Sequence, residues 1–389
     1  MRYLHPHIAE DLPKKMVFLG GPRQVGKTTL AKNLLLEAGS GRYFNWDFDA
    51  DKKAILGNQW ADSDALLIFD EIHKFPRWKN WVKGVFDVQG TAHQILVTGS
   101  ARLDVYKQGG DSLLGRYHYW RLHPFTIDEC PEGLSPAEVF DRLMRVGGFP
   151  EPFLSNDERQ SRRWRLARLD RVLQEDIRDL ESIKNIQTLR LFLDLLRDRA
   201  GSLVVLSNLA QDVHISPITA KAWLQALERM YLVFSVYPYT KASNRAIQKP
   251  PKVYFFDNAD VPISHSNSTS SAVNTVNMGA RFENLVATHL LKRLHYLEDR
   301  EGYRCELTYI RDKDGREVDF AILIDGKLHE IIEVKYGDEK ISTSLRYYKE
   351  LLQPARATQI VATLDHPFDK DGIHVTNPVS YFGANAYGW

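Results

Sequence analysis

The chain has few cysteines, no long apolar run and no excess of charge of one sign. Its two cysteines, Cys130 and Cys305, lie outside any metal-ligand spacing and predict a reducing compartment instead of a disulfide framework. No segment approaches the roughly 18 consecutive apolar residues that a membrane span needs. The N-terminal residues also lack the apolar core of a secretory signal. These absences predict a soluble, cytoplasmic protein without a membrane partner.

The charge balance excludes a basic field over the whole molecule. Lys and Arg number 51 against 50 Asp and Glu in 389 residues, so any contact with nucleic acid has to come from a local patch. The hydrophobic fraction of 43% is that of a globular protein, and the length predicts two or three domains.

Short apolar runs alternate with helical periods over roughly the first 125 residues. Strands are predicted at 16–20, 42–46, 65–69, 94–99 and 118–122. Trp78, Trp81, Val82, Val85 and Phe86 recur at helical spacing and predict a core-facing stripe. Strands that alternate with helices indicate an α/β fold with a mostly parallel sheet covered on both faces.

The segment GPRQVGKT fits the phosphate-loop pattern G-x-x-x-x-G-K-[ST] between a predicted strand and a predicted helix. Glycines allow backbone N–H groups to approach phosphate oxygens at a helix N-terminus. Lys27 is expected to reach the β- and γ-phosphates, and Thr28 to bind Mg²⁺. The predicted ATP-binding residues are Gly21, Pro22, Arg23, Gln24, Val25, Gly26, Lys27, Thr28 and Thr29.

The segment ALLIFDE supplies the acidic partner of the loop. An apolar strand that ends in two carboxylates predicts Asp70 beside the Mg²⁺ and Glu71 as the group that polarises an attacking water. Together with the loop it predicts ATP and Mg²⁺ as cofactors, with Lys27 and Glu71 as catalytic residues.

The pair Thr98 and Ser100, and separately Arg116, each have two open interpretations. Thr98 and Ser100 end the next strand, where they either sense the γ-phosphate or cap a helix. Arg116 is either an arginine finger for the nucleotide of a neighbouring subunit or a member of a surface ion pair. The first interpretation of Arg116 requires a homo-oligomer.

The middle of the chain predicts a helix-turn-helix followed by a strand, as in a winged helix. Ser216 is a good N-cap, and an apolar stripe includes Trp223 and Leu224. Such a module either contacts DNA or packs against a protein partner. The stretch 159–171 is rich in arginine and is either a basic patch or a solvated helix with ion pairs.

The C-terminal third carries an acidic constellation. Asp319, Glu333 and Lys335 have the spacing D-x(13)-E-x-K of a nuclease core, and Glu283 lies on a preceding amphipathic helix. Two carboxylates at adjacent strand ends can hold Mg²⁺, and Lys335 can orient a water. Alternating charge on a solvent-facing strand would give the same letters, but apolar residues surround both acids.

In the order of these segments, the whole chain resembles a prokaryotic family of AAA-type ATPases. Members of this family end in a domain of unknown function with a restriction-endonuclease-like (PD-(D/E)xK) fold. GPRQVGKTTL, LLIFDEIHKFPRWKNWVK, ILVTGSARL, LLGRYHYWRLHPF and RVLQEDIRDLESI carry the resemblance. It implies Thr98 and Ser100 as the first sensor and Arg116 as the finger. The residues expected at the nuclease-like site are Glu283, Asp319, Glu333 and Lys335.

The expected fold is a P-loop NTPase parallel sheet with helices on both faces, then a helical winged-helix region and an α/β nuclease-like domain. The corresponding domain ranges are 1–150, 151–242 and 243–389. The expected function is ATP hydrolysis coupled to action on DNA. The alternative is a nucleotide-controlled regulatory module that binds a partner and has a non-cutting nuclease fold.

Overall fold

The computed structural model of the chain describes residues 2–89, 92–99, 113–129, 131–177, 183, 185–240, 249–262 and 271–383, with the backbone alone at 176–177 and 271–277. These residues divide into two compact units. The first unit comprises residues 1–123 with 229–231, and the second comprises 124–228 with 232–389. The expected division into three domains stays a prediction.

The first unit is built on a five-stranded parallel sheet. Its strands are β1 (Met16–Gly20), β2 (Gly41–Asn45), β3 (Leu66–Asp70), β4 (Gln94–Thr98) and β5 (Tyr117–Arg121), in the order β2-β3-β4-β1-β5. The helices are α1 (His5–Asp11), α2 (Lys27–Ala38), α3 (Asp49–Leu56) and α4 (Trp78–Gln89). The parallel sheet predicted from the sequence is confirmed.

Apolar strands explain why this sheet is buried. Every residue of β1 and β3 is buried, as parallel strands covered on both faces require. Trp78, Val82 and Val85 of α4 pack into one core cluster with strand residues such as Phe69. The helix α2 contacts β2, β3 and β4.

Strand order decides which residues meet. The strand β4 lies between β1 and β3, and parallel strands place their carboxyl ends on one edge. The segments after β1, β3 and β4 therefore come together at that edge.

The second unit begins with helices. They are α5 (Pro136–Val146), α6 (Pro150–Ser155), α7 (Glu158–Arg171) with a π-helical continuation at Val172–Ile177, α8 (Ile186–Arg197), α9 (Leu206–Asp212) and α10 (Pro217–Arg229). The predicted N-cap of α10 is present, because Ser216 Oγ accepts a hydrogen bond from Thr219 N at 3.0 Å. Trp223 and Leu224 of the predicted stripe are buried.

A mixed eight-stranded sheet follows, in the order β12-β13-β11-β10-β9-β8-β6-β7. Its strands are β6 (Val233–Pro238), β7 (Lys252–Phe255), β8 (Cys305–Arg311), β9 (Glu317–Ile324), β10 (Lys327–Lys335), β11 (Arg356–Val361), β12 (Phe368–Lys370) and β13 (Ile373–Thr376). The helices around it are α11 (Ser271–Glu301), α12 (Thr343–Leu352) and α13 (Pro378–Phe382). A core cluster joins Leu345 and Tyr348 of α12 to β8–β11 and β13.

The strands after the helix-turn-helix belong to this larger sheet. The pair β6–β7 is antiparallel, but β6 also pairs in parallel with β8 through Tyr237 and Thr308. The winged helix stays a prediction, since β6 and β7 form one end of the C-terminal sheet, where β7 is the edge strand and β6 lies between β7 and β8.

The serine-rich, polar composition of 264–277 predicts a loop from the sequence. This prediction was wrong for 271–277, since α11 begins at Ser271, and residues 264–270 lie outside the described part of the chain. Because polar residues cost a helix only a few tenths of a kcal/mol each, the helix can extend upstream of the amphipathic pattern that begins after Gly279. Among the described helices, none is long and apolar enough to cross a membrane.

Candidate functional site

The phosphate loop connects β1 to α2 in a conformation that needs glycine. Gly21 has φ +137° and Gly26 has φ +99°. A Cβ at Gly21 would lie 2.4 Å from the Leu122 carbonyl oxygen, so any side chain there would force the backbone apart. Among the described residues, no side chain caps α2, which leaves its first N–H groups to an anion.

Lys27 lies across the inside of this loop. Its side chain is 7% exposed, and Nζ donates to the carbonyl oxygens of Gly21 at 2.9 Å and Pro22 at 2.7 Å. The loop therefore holds a buried ammonium next to the N-terminus of α2. This is a strongly positive position that suits phosphate.

Asp70 gathers three hydroxyl groups. Its Oδ2 accepts from Thr28 Oγ1 at 2.9 Å and from Tyr43 OH at 2.6 Å, and its Oδ1 accepts from Thr98 Oγ1 at 2.5 Å. The carboxylate is 5% exposed. The structure thus brings together Thr28, Asp70 and Thr98, which the sequence placed on three separate segments.

Tyr43 was missed by sequence reasoning. It lies on β2, where an aromatic residue is most simply read as core, and only the pairing of β2 with β3 brings it to Asp70. Burial raises the pKa of the Tyr43 hydroxyl, and the hydrogen bond to Asp70 adds to the rise. The phenol therefore stays protonated and acts as a fixed donor.

Glu71 follows Asp70 in a left-handed conformation with φ 57°. Its backbone N donates to the Thr98 carbonyl oxygen at 2.9 Å, which ties the end of β3 to the end of β4. Burial raises the pKa of the Glu71 carboxyl, Lys74 and Lys27 oppose this rise, and Asp70 adds to it. Lys74 Nζ lies 3.4 Å from Glu71 Oε2.

The remaining predicted residues of this unit are placed less centrally. Arg116 Nε forms an ion pair with Asp87 Oδ1 at 2.7 Å, so the interpretation as a surface pair describes its position within this chain. Arg23 is half-buried, Gln24 is exposed on the loop, and Thr29 is exposed in the first turn of α2. Ser100 lies outside the described residues.

The donor set fits a magnesium–nucleotide complex. A threonine hydroxyl and a buried carboxylate lie side by side at the start of α2, and Mg²⁺ prefers such oxygen ligands. The buried Lys27 and the glycine-lined loop suit the phosphates that share the metal.

The second unit brings the predicted acidic residues into one cluster. Asp319 Oδ2 accepts from Val334 N at 2.9 Å, which joins β9 to the end of β10. Glu333 Oε1 pairs with Lys335 Nζ at 2.8 Å. Glu333 Oε2 is buried and, among the described residues, has no hydrogen-bond partner.

Lys252 lies at the centre of this cluster, and sequence reasoning missed it. Its Nζ lies 2.6 Å from Glu317 Oε1, 3.1 Å from Glu283 Oε1 and 3.4 Å from Asp319 Oδ1. The side chain is 3% exposed. The one available signal was the position of this lysine at the head of the apolar segment KVYFF, directly after two prolines.

The electrostatics of the cluster are those of crowded, buried carboxylates. Burial raises the pKa of Glu283 to about 7 and that of Glu333 to about 7, and Asp319 adds to both rises. Burial lowers the pKa of Lys252, but Glu283, Asp319 and Glu317 outweigh this and raise it above its ordinary value. Tyr254 OH donates to Glu283 Oε1 at 2.7 Å.

Within the described part of the chain, no group of three or more His, Cys, Asp and Glu side chains has the arrangement of a metal site. In this cluster the ammonium of Lys252 takes the position between three carboxylates. Asp319 and Glu333 still form a pair of acids at adjacent strands.

Comparison with known proteins gives three matched segments. Residues 13–130 match a family described as AAA domain. This match and the phosphate loop indicate that residues 13–130 are an AAA-type P-loop ATPase domain. Residues 137–260 and 278–382 of the chain match two domains of unknown function, DUF8612 and DUF4143.

Two relatives match most of the chain. An uncharacterized protein of Mycobacterium tuberculosis is 25% identical over 359 residues, which cover 91% of this chain and 77% of the relative. An uncharacterized protein of Methanocaldococcus jannaschii is 25% identical over 400 residues, covering 92% and 84%.

Solved structures match parts of the chain with low scores. AMPPCP-bound DnaA from Aquifex aeolicus has a TM-score of 0.32 at 14% identity, covering 58% of this chain and 86% of DnaA. The RuvB Holliday junction branch migration motor of Thermotoga maritima has a TM-score of 0.29 at 17% identity, covering 63% and 92%. Scores this low do not establish a shared fold over those lengths.

Proposed function

We propose that this AAA protein hydrolyses ATP with Mg²⁺ held by Thr28 and Asp70, and that hydrolysis is coupled to the action of its C-terminal part on DNA. The observation that carries the ATPase proposal is the contact of Thr28 Oγ1 with Asp70 Oδ2 at 2.9 Å, next to the buried ammonium of Lys27. Separate segments of a parallel sheet make this contact, which a chance glycine-rich turn would not produce.

Each side chain has a role that follows from its position. The loop N–H groups and Lys27 bind the phosphates, and they stabilise the charge that develops during transfer. Glu71 orients the attacking water and accepts its proton, for which a raised pKa is suited. Thr98 fixes the Asp70 carboxylate. A bound Mg²⁺ would neutralise charge on the phosphate oxygens.

The DNA part of the proposal rests on the acidic cluster and on the helix-turn-helix of the second unit. The contact of Asp319 with Val334 N, the pair Glu333–Lys335 and the electrostatic coupling of Glu283 to Asp319 support the nuclease-like proposal. The helices α9 and α10 follow one another across a short turn, which supports the helix-turn-helix proposal.

A second candidate function is favoured by Lys252. Its ammonium contacts three of the carboxylates and neutralises the charge that would attract a metal ion. In that case the C-terminal part is a non-cutting nuclease fold, and ATP controls the binding of a protein partner.

Parallel assays of ATP turnover and DNA cleavage test the proposal. The samples are the wild type, Lys27→Ala and Glu333→Ala, each with Mg²⁺ and with EDTA. We expect turnover in the wild type and in Glu333→Ala, its loss in Lys27→Ala, and stimulation by DNA at low salt. A Mg²⁺-dependent turnover that Lys27→Ala retains would contradict the ATPase proposal.

The same samples separate the two outputs. Mg²⁺-dependent cleavage that is lost in Glu333→Ala supports the nuclease-like function. Turnover that DNA does not affect, with no cleavage by any sample, supports the regulatory function instead.

A further inference from the structure

Arginines converge on a cleft in the second unit. The cleft has a volume of about 390 Å³, and its walls include Arg145, Arg162, Arg165, Arg197 and Arg281. They come from α5, α7, α8 and α11. The lining contains two carboxylates, Glu158 and Asp260. We name this set of five arginines the arginine cleft.

Arg281 is the most buried of the five. It is 4% exposed, and its Nη2 donates to the Arg145 carbonyl oxygen at 2.9 Å. Its Nε is buried and has no hydrogen-bond partner among the described residues. Burial, with a contribution from the charge of Arg165, lowers the pKa of Arg281 to about 10. The guanidinium is therefore charged at neutral pH and lacks part of its hydrogen bonding.

Two neighbouring guanidinium groups also lack part of their hydrogen bonding. Within the described residues, the Nε atoms of Arg165 and Arg197 are also buried without a partner. A buried donor left without a partner costs about 1–3 kcal/mol, and more when it is charged. Three such donors belong to arginines that line one cleft, so a ligand bound there would find guanidinium groups with unmet hydrogen bonding.

Carboxylates around the cleft offset part of its charge. Glu158 lies 3.5 Å from Arg162 and 3.8 Å from Arg145, and Asp260 lies 3.4 Å from Arg197. These separations are longer than those of a tight bidentate pair. Outside the lining, Asp194 pairs with Arg197 at 2.6 Å and Asp141 with Arg145 at 3.7 Å, and buried Asp257 acts electrostatically on Arg165 and Arg281. The lining itself holds five guanidinium groups against two carboxylates.

The planar N–H forks of guanidinium groups match the paired oxygens of carboxylate and phosphate, and five of them in one cleft favour an anion with several charges, such as an oligophosphate. The volume is that of a small-molecule site. A site for single-stranded nucleic acid needs a long groove with aromatic rings for the bases. The described lining contains no aromatic side chain.

We propose that the arginine cleft binds a small oligophosphate anion, and that Arg281 anchors it from the buried end of the cleft. The bound phosphates complete the hydrogen bonding of Arg281, Arg165 and Arg197, and Arg162 closes over them from the exposed side of α7. This site contains none of the phosphate-loop residues. The site also assigns a function to the arginine-rich stretch 159–171, for which the sequence allowed two interpretations.

Calorimetric titration with inorganic tripolyphosphate tests the proposal. The full chain carries Lys27→Ala throughout, so that the phosphate loop does not contribute. We expect binding in this background and a loss of affinity of at least about tenfold with Arg281→Gln and with Arg162→Gln. Arg163→Gln is the matched control, since Arg163 is an exposed arginine on the same helix that does not line the cleft.

Two further arms identify the ligand. ATP that binds no more tightly than tripolyphosphate shows that the phosphates alone are recognised, and tighter ATP binding shows that the site takes a nucleotide. Arg162→Gln keeps the test valid if Arg281→Gln fails to fold, because Arg162 is exposed. The proposal would be overturned if tripolyphosphate did not bind, or if Arg162→Gln and Arg163→Gln bound it with equal affinity. Binding of a single-stranded oligonucleotide without binding of tripolyphosphate would also overturn it.

Discussion

At the scale of single residues, three hydroxyl groups determine how the Asp70 carboxylate is held. Thr28, Tyr43 and Thr98 all donate to it. A carboxylate that binds a metal needs such donors to fix its orientation, since its own side chain leaves it free to rotate.

The first prediction concerns Thr98. Thr98→Val keeps the shape of the side chain and removes the donor to Asp70 Oδ1. We expect kcat for ATP to fall about 10- to 100-fold, as for other groups that orient a metal ligand, with a smaller change in KM. Thr98→Ser restores the hydroxyl and is expected to retain turnover. Equal kcat values for Thr98→Val and the wild type would show that this bond is not needed.

The second prediction concerns the pH dependence of stability at Glu333. Its pKa is raised by burial and by Asp319 from 4.5 to about 7. The protonated form is therefore the stable one in the fold. The stability from Glu333 is complete below about pH 4.5 and is lost as the pH rises through about 7. Glu333→Gln should be nearly neutral at about pH 5 and stabilising, by about 3 kcal/mol, at about pH 8.

Urea unfolding in EDTA at the two pH values measures this difference. Glu350→Gln is the control, because the Glu350 side chain is 80% exposed, and it should show no such change. A Glu333→Gln protein that is less stable than the wild type at the higher pH would contradict the assignment. If Mg²⁺ in place of EDTA raised the stability of the wild type at the higher pH but not that of Glu333→Gln, this would indicate a metal bound at Asp319 and Glu333.

Sequence reasoning found most of these residues but not their partners. Asp70, Glu71, Asp319 and Glu333 stand out because carboxylates at the ends of apolar strands are unusual. Tyr43 and Lys252 carry no such signal, since each sits at an ordinary position of a strand. Their roles depend on which strands pair, and that is a property of the fold.

At the scale of elements, the turn from β1 into α2 sets the geometry of the phosphate loop. Apolar runs and turn glycines predict the strands of the first unit to within one residue, because strongly patterned segments leave few alternatives. At the start of α11, polar composition did not predict the helix correctly, because the helix propensities of ordinary polar and apolar residues differ little.

The third prediction compares two glycines that flank α2. Both have positive φ, but a Cβ at Gly21 would lie 2.4 Å from a backbone oxygen, whereas a Cβ at Gly39 would meet nothing within 4 Å. Gly21→Ala is expected to weaken ATP binding at least about tenfold, since the loop has to open. Gly39→Ala should cost about 1 kcal/mol of stability and leave ATP affinity unchanged.

Titration of both variants with a fluorescent ATP analogue measures the effect. Matching affinities for Gly21→Ala and Gly39→Ala would contradict the assigned loop geometry.

At the scale of the whole molecule, the open question is whether the ATP site is completed by a second subunit. Within one chain Arg116 pairs with Asp87. The sequence could not decide between a finger and this ion pair, because an arginine finger acts on a neighbour that a single chain does not contain.

The fourth prediction tests Arg116 by mixing inactive proteins. If Arg116 acts in trans, Lys27→Ala and Arg116→Ala are each inactive. An equal mixture should then recover about a quarter of the wild-type sites by random pairing. Asp87→Asn removes the ion pair within the chain and should retain turnover. A mixture as inactive as its components, or an active Arg116→Ala protein, would exclude a trans finger.

The central claim is that the phosphate loop hydrolyses ATP with Glu71 as the group that activates water. Steady-state turnover by Glu71→Gln, measured with its ATP affinity, tests it most directly. We predict that kcat falls at least about 100-fold while ATP binding is retained, and that wild-type kcat rises with pH through the raised pKa of Glu71. Unchanged turnover in Glu71→Gln, or ATP binding without Mg²⁺-dependent hydrolysis in the wild type, would contradict the account.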